Sequence, residues 1–197
     1  MGKNLNVWEA DAAAFQDLNE GQRDSWEYAG EPVPTLETML LAAKGRIRLM
    51  IELKSTGHEK DLEEGTLSLI KKCGMLDQCV IASMDMQILE RVKILEPGMK
   101  TVYISAVLLT QERGLEEIDA YSVETTALSA DLVYQAHLQG KQVYAWTANS
   151  ERTINKILRC GADGLITDNV PLAKYCMRVN QENLLFREIT ELFFTDN

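Results

Sequence analysis

An acidic and a basic side chain lie one residue apart in the apolar stretch Ile51-Glu52-Leu53-Lys54. If this stretch is a strand, its side chains alternate between two faces, so Glu52 and Lys54 share one face. Ile51 and Leu53 then share the other face, which suits packing against helices. A carboxylate is a hard oxygen ligand for a divalent cation, and an ammonium group can hold an anionic phosphate oxygen. The tetrapeptide alone nevertheless favours a simpler interpretation, in which the two charges form a buried ion pair without chemistry.

Two candidates for substrate binding stand at the ends of other apolar runs. Trp146 follows Tyr144 on the same predicted strand face and could stack on a glycerol or a sugar, although a large aromatic more often fills a core. Ser83 could donate a hydrogen bond to a phosphate. For Ser83 the favoured alternative is a helix N-cap, since a helix is predicted to start near Met86.

Asp168 and the two histidines of the chain are weaker candidates. Asp168 could ligate a metal, but we favour a capping role for the helix predicted from Pro171. His58 follows Lys54 by four residues in a predicted loop, where it could reach a substrate, although most such residues are simply exposed. His137 lies in the middle of a predicted helix and is interpreted as structural. The sequence therefore offers no paired histidines for general acid–base hydrolysis of a phosphodiester.

Short apolar runs of strand length alternate with amphipathic helical stretches through most of the chain. The pattern predicts strands at 48–54, 79–83, 100–105, 120–123, 142–147 and 164–168. It predicts helices at 36–43, 60–73, 86–95, 129–139, 151–160 and 171–179. Such alternation with short connections indicates parallel strands and right-handed crossovers. A doubly wound sheet and a barrel both fit, although no Gly-rich phosphate loop supports the doubly wound, nucleotide-binding alternative.

The chain length allows one domain with a substantial core, and we predict a single domain over residues 1–197. We expect an irregular lead-in over 1–36 and a C-terminal tail with a weak helical pattern over 180–197. The four cysteines form no metal-binding motif, and we expect them to be small, buried or half-buried residues.

The formal net charge of -10 argues against binding to nucleic acid or to an anionic lipid surface. It leaves room for an anionic substrate, because a local lysine can outweigh a distant field. No apolar window reaches the roughly 18 residues that a membrane span requires. We therefore expect the chain as given to be cytoplasmic or otherwise soluble, while a longer parent protein could be membrane-associated.

Five segments, in the right order, resemble the motifs of the glycerophosphodiester phosphodiesterase family; they are 30–37, 51–54, 81–85, 143–149 and 161–171. Each match is weak by itself, but the ordered set is specific. The resemblance implies a TIM-type (β/α)8 barrel rather than an open sheet. It also implies metal-dependent hydrolysis of glycerophosphodiesters to an alcohol and glycerol 3-phosphate, a reaction of lipid metabolism.

The resemblance gives roles to individual residues. It implies that Glu52 is a ligand of the divalent cation, usually calcium or magnesium, and that Lys54 is a catalytic residue on the phosphate side of the site. It implies that Trp146 lines the substrate pocket. Ser83 ends one of the matching segments and is kept as a candidate substrate-binding residue.

The strands that carry the family's first motifs have no counterpart in these 197 residues, because residues 1–29 match the stretch that follows them. They are a His-Arg-Gly strand, an E-x-D strand and a strand ending in His-Asp, and they hold both catalytic histidines and the other metal carboxylates. We therefore expect an incomplete, N-terminally truncated barrel that lacks the first strands, binds its cation weakly and has negligible turnover alone. Two alternatives stay open: a catalytically inactive barrel remnant that acts as a binding or interaction module, and an unrelated α/β barrel enzyme acting on small phosphorylated metabolites.

A barrel without its first strands exposes strand edges and an apolar interior, and both favour association. We expect a partner at this open edge, either a second copy in a homodimer or the missing N-terminal segment. The tail could cover part of the gap with its apolar residues Leu184, Leu185, Phe193 and Phe194.

Overall fold

The computed structural model describes residues 6–16, 32–106 and 117–194, together with the side chains of all of these except Ala12 and 183–194. The chain divides into two compact units. Unit 1 comprises Met1–Ile81 and Arg91–Met99, and unit 2 comprises Ala82–Glu90 and Lys100–Asn197. The predicted contribution of the tail side chains lies outside the described residues.

Unit 1 contains helices and strands that were mostly predicted from local patterns. Its elements are α1 (Ala12–Gln16), α2 (Leu36–Ala43), β1 (Leu49–Glu52), α3 (Leu62–Cys73), a 3-10 turn (Leu76–Gln78) and parts of β2 (Cys79–Ser83) and α4 (Met86–Leu95). The lead-in that we expected to be irregular thus includes the short helix α1. β1 lies beside β2 in the sheet.

Helix α2 begins and ends where the sequence predicts. The Thr35 hydroxyl accepts a hydrogen bond from the backbone N–H of Thr38 at 3.1 Å, which satisfies one of the free donors of the first turn. The ion pair between Lys72 and Glu37, at 2.8 Å, connects α3 to α2.

Strand β1 is shorter than predicted. It ends at Glu52, so Lys54 lies beyond the strand rather than inside it. The alternation of exposure still continues past the end, because Leu53 is buried and Lys54 is exposed.

Unit 2 contains a parallel sheet whose strands follow one another in chain order. Its elements are β3 (Lys100–Ser105), β4 (Ala120–Glu124), α5 (Ala130–Leu138), β5 (Gln142–Trp146), α6 (Glu151–Cys160), β6 (Gly164–Leu165) and α7 (Val170–Phe194). The predicted strand at 120–123 is present as β4 and is one residue longer. The last predicted strand is much shorter than 164–168, so Asp168 lies in the loop after β6. The closing helix and the tail, predicted separately, form the single helix α7.

The two faces of β5 differ in exposure. Val143 and Ala145 are fully buried, and helix α5 packs against this strand. Tyr144 and Trp146, on the other face, are only half-buried. The strand register places Ser122 beside Tyr144 and Glu124 beside Trp146, so these four residues share one face.

Two aspartates make the same pair of hydrogen bonds at the starts of neighbouring strands. Asp119, just before β4, donates its backbone N–H to the carbonyl of Thr101 at 3.0 Å and accepts the N–H of Thr101 on its carboxylate at 2.9 Å. Asp163, just before β6, does the same with Val143, at 2.8 and 2.7 Å. Each aspartate therefore fixes the start of its own strand to the start of the strand that precedes it in the sheet.

Candidate phosphodiester site

Glu52 and Lys54 lie together in unit 1, as the sequence predicts. The Lys54 Nζ is 3.5 Å from the Glu52 Oε2, and the two side chains are 76% and 38% exposed, respectively. The alternative of a buried ion pair is therefore wrong. An exposed pair at this distance contributes little to stability, about 0–1 kcal/mol, so both groups remain open to a charged ligand.

The loop that follows Lys54 surrounds a second carboxylate, that of Glu59. The backbone N–H groups of Thr56, Gly57 and His58 all donate to it, at 2.9, 3.0 and 3.2 Å. The hydroxyl of Thr56 donates at 2.6 Å and that of Ser55 at 3.3 Å. The hydrogen bonds from the Thr56 hydroxyl and then from the backbone lower the pKa of Glu59 to about 2.

Sequence reasoning missed Glu59. The spacing Thr56-x-x-Glu59 is that of a capping box, and this was the one local signal that could have found the contact. His58, which we interpreted as an exposed loop residue, is exposed, and its ring stacks on that of Trp8 with centroids 4.6 Å apart.

Ser83 ends strand β2 and is almost fully buried, with 1% of its surface exposed. Its hydroxyl accepts a hydrogen bond from the backbone N–H of Asp85 at 3.1 Å. The Asp85 carboxylate in turn accepts the N–H of Gln87 at 2.9 Å, so Asp85 caps α4. The favoured role of Ser83 as N-cap was wrong, because the helix starts three residues after Ser83 and a cap must directly precede it.

Trp146 ends strand β5 in unit 2. Its indole Nε1–H donates to the carbonyl of Ser122 at 3.2 Å, which fixes the ring across the neighbouring strand. The backbone carbonyl of Trp146 accepts the N–H of Thr125 at 2.8 Å. The ring is half-buried on the less covered face, so it is neither a fully enclosed core residue nor a free surface aromatic.

Glu124 shares the strand end with Trp146 and was also missed. Its carboxylate accepts hydrogen bonds from the hydroxyl and the N–H of Thr126 and from the hydroxyl of Thr125. The Thr126 hydroxyl is the main cause of a lowered pKa of Glu124. The predicted strand ended at Val123, one residue too early to include this side chain.

Asn149 connects the loops that follow β5 and β6. Its side-chain oxygen accepts the N–H of Asp168 at 2.9 Å and the hydroxyl of Thr167 at 3.1 Å, while its amide donates to the Asp168 carboxylate at 2.6 Å. Asn169, not Asp168, caps α7, because the Asn169 side chain accepts the N–H of Leu172 at 3.1 Å. The favoured capping role of Asp168 was wrong by one position.

His137 has the structural role expected of it. Its Nε2 is 2.9 Å from the Asp163 Oδ2, at the start of β6. Burial raises the pKa of Asp163, but the hydrogen bonds from His137 and from the backbone of Val143 outweigh burial, so the pKa lies below its usual value.

A complete cation site is not present among the residues that the structure describes. No group of three or more His, Cys, Asp or Glu side chains that could hold a metal ion occurs there. Glu52 thus fits one position in a coordination shell and leaves the others unfilled. In the same described residues, no helix combines the length and apolar character needed to cross a bilayer.

Parallel strands with intervening helices are the architecture of an α/β barrel fold. The glycerophosphoryl diester phosphodiesterase family matches residues 1–172, and the chain belongs to that family. A glycerophosphodiester phosphodiesterase of Bacillus subtilis is 27% identical over 176 residues, which are 83% of this chain and 60% of the relative. One of Caldanaerobacter subterraneus is 26% identical over 166 residues, which are 79% of this chain and 66% of the relative.

Solved structures of such enzymes have the same fold. An Oleispira antarctica phosphodiesterase in complex with the product sn-glycerol-3-phosphate superposes with a TM-score of 0.79 at 19% identity, over 87% of this chain and 72% of that one. A glycerophosphodiester phosphodiesterase from Parabacteroides distasonis superposes with a TM-score of 0.73 at 22% identity, over 87% of this chain and 71% of that one. The predicted incomplete (β/α)8 barrel is confirmed: the described residues form six strands, and such a barrel has eight.

Proposed function

We propose that this chain provides part of the active site of a phosphodiesterase that hydrolyses glycerophosphodiesters to an alcohol and glycerol 3-phosphate. One observation carries the proposal: Glu52 and Lys54 stand side by side, exposed, at the carboxyl end of β1 in a member of this family. The carboxyl ends of the strands are where α/β barrels place their active sites.

Lys54 holds the phosphate in this proposal. Its ammonium group is largely exposed and its contact with Glu52 is long, so an anionic phosphate oxygen can compete for it. A hydrogen bond between two charged groups is roughly twice as strong as one between neutral groups. Lys54 therefore orients the phosphodiester and offsets the charge that develops on its oxygens.

Glu52 provides one oxygen ligand for a divalent cation, calcium or magnesium. Calcium takes six to eight oxygen ligands and magnesium six, so Glu52 alone binds either ion weakly. A bound cation would neutralise negative charge on the phosphodiester. The strand that carries the E-x-D carboxylates in the family has no counterpart in the motif matches of this sequence.

Trp146 and Ser83 are proposed to contact the substrate. The half-buried indole of Trp146 offers an apolar surface to the glycerol carbons, while its N–H is already held by Ser122. Ser83 lies at the carboxyl end of β2, the end at which α/β barrels place their active sites. Neither residue moves a proton to or from the reacting oxygen.

A second candidate function is that of a catalytically inactive barrel remnant. The observation that favours it is the lack of any three-ligand group among the described residues. Such a remnant would bind anions or partners without turnover.

If the chain is part of a phosphodiesterase, a partner completes its active site. We propose that it is the missing N-terminal segment, or a second copy in a homodimer, at the open barrel edge. The half-buried face of β5, with Tyr144 and Trp146, supports a surface that a partner covers.

Hydrolysis of glycerophosphocholine tests these proposals. The chain is assayed with calcium, first alone and then together with a synthetic N-terminal fragment that carries the family's His-Arg-Gly, E-x-D and His-Asp strands. We expect negligible turnover alone, turnover in the mixture, and its loss in Glu52→Gln. Glu90→Gln is the matched control, since Glu90 is an exposed glutamate on α4. A folded mixture that binds but turns nothing over would support the remnant instead.

A further inference from the structure

The loop 55–58 has the geometry of an oxyanion-binding site. Three consecutive backbone N–H groups, from Thr56, Gly57 and His58, point at one carboxylate, and two hydroxyls complete the set. Successive N–H groups that converge in this way form an anion-binding concavity. In this structure the anion is the chain's own Glu59.

Gly57 makes the convergence possible. Its φ of +84° lies in the left-handed region, which turns the N–H groups on either side toward one point. Apart from its two chain neighbours, no described residue comes within 4 Å of the place where a β-carbon would be, so the glycine is needed for its backbone conformation and not for space.

The position of the loop links it to phosphate chemistry. It follows Lys54 directly, and the ammonium group of Lys54 is 76% exposed with a 3.5 Å contact to Glu52. Residues 55–59 are all exposed, so an external anion can approach without any rearrangement of the core. Only the Glu59 side chain has to rotate away to open the loop.

We infer that the 55–58 loop is a binding site for a phosphate or phosphomonoester oxyanion, and that the Glu59 carboxylate occupies it as an internal competitor. The inference is independent of turnover and of the metal. Because Glu59 stays ionised at neutral pH, the wild-type chain binds external anions weakly, and removal of the carboxylate opens the site.

The test is calorimetric titration of inorganic phosphate and of glycerol 3-phosphate into the purified 197-residue chain and its variants. We expect Glu59→Ala to bind at least ten-fold more tightly than wild type, with the amide resonances of Thr56, Gly57 and His58 shifting on titration. Glu90→Ala removes the same charge from an exposed position and is expected to match wild type. Glu59→Gln, of similar shape, serves if the alanine variant folds poorly.

A second pair of variants tests whether the anion binds in the 55–58 loop. Adding Gly57→Ala to Glu59→Ala is expected to weaken binding at least ten-fold, because it distorts the concavity and removes no donor. Gly140→Ala is the matched control, since Gly140 has a φ of +71° and equally open space. Equal affinity for both ligands would identify free phosphate as the ligand of the site. A preference for glycerol 3-phosphate would identify a phosphomonoester. Either result supports the proposed site.

Three outcomes overturn the inference. The first is a folded Glu59→Ala variant that binds no more tightly than wild type, which reduces the contact to a turn cap. The second is binding that Gly57→Ala does not weaken. The third is equal binding of chloride, which is nonspecific attraction to Lys54. None of these bears on hydrolysis by the completed barrel, so the two proposals fail separately.

Discussion

Gly164 lies directly against the ring of Tyr144: a β-carbon added at position 164 would be 2.7 Å from the Tyr144 Cδ1. The two residues are register partners on neighbouring strands, β6 and β5. The hydroxyl of the same ring donates to Gln142 at 3.1 Å, which limits how far the ring can turn away. The lack of a side chain at position 164 therefore lets the aromatic ring lie across the last strand.

Gly164→Ala should lower the free energy of unfolding by about 1–3 kcal/mol, the usual cost of overpacking. Urea unfolding followed by circular dichroism measures it. Gly65→Ala is the control, because Gly65 is inside α3 with open space around it, and alanine there should stabilise by about 0.5–1 kcal/mol. A Gly164→Ala variant as stable as wild type would show that the ring moves freely.

Ser150→Ala should lower the free energy of unfolding by about 1 kcal/mol through the loss of a helix cap. The Ser150 hydroxyl accepts the N–H of Thr153 at 3.2 Å, and alanine leaves that donor without its protein partner. Thermal unfolding measures the loss. Ser68→Ala, at an exposed position inside α3, is the matched substitution and should leave stability unchanged or slightly higher.

Asp163→Asn should remove part of the acid sensitivity of the fold. The pKa of Asp163 is lowered in the folded state, from an ordinary value of 3.8, so the ionised group stabilises the protein above that pH. This contribution is lost as the pH falls through the folded pKa, below about 4. We expect urea unfolding to show that Asp163→Asn is less stable than wild type at pH 7, by about 1–3 kcal/mol. Between pH 7 and 2.5 the free energy of unfolding of the variant should fall less steeply than that of wild type.

The matched variant for the Asp163 experiment is Asp131→Asn. Asp131 is an exposed residue in the first turn of α5, without the paired backbone bonds of Asp163. If both variants changed the pH dependence of the free energy of unfolding equally, the prediction would be contradicted.

Asn149→Asp should destabilise the loops after β5 and β6 above pH 5. It places a carboxylate beside that of Asp168, where the amide now donates at 2.6 Å, so a hydrogen bond becomes a repulsion between like charges. We expect a loss of about 1–3 kcal/mol at pH 7, from the unmade hydrogen bonds. The double variant Asn149→Asp with Asp168→Asn restores a donor and an acceptor and should recover most of the stability. No recovery would mean that the bonds to Asp168 do not hold the loops.

Local signals predicted much of the architecture. Thr35 and Ser150 cap helices that start where the sequence predicts, because a cap depends on the few residues that follow it. Ser129, predicted as the first residue of a helix, is instead the cap of α5. The ends of helices and strands that depend on contacts elsewhere in the chain were predicted less accurately. Helix α7 continues through the tail, and β6 stops after two residues.

The pairing of Glu52 with Lys54 was predicted from alternation in a strand, and it holds although the strand ends at Glu52. The concavity around Glu59 could not be predicted in the same way. Its donors are backbone groups, and their convergence depends on the φ angle of Gly57, which the sequence permits but does not impose. Ser83 and Asp168 were each assigned a cap that a neighbour makes, since several polar residues follow each strand.

The matching hydrogen bonds of Asp119 and Asp163 have a consequence for how such a chain can change over evolution. Each aspartate aligns one strand with the strand before it, using only atoms at the ends opposite the loops after β4, β5 and β6. For β4 and β6, alignment with the preceding strand is thus provided by a residue next to the strand itself. These two strands could then keep their register while other parts of the sheet are gained, lost or supplied by another polypeptide, and the loops at the opposite ends stay free to acquire new ligands.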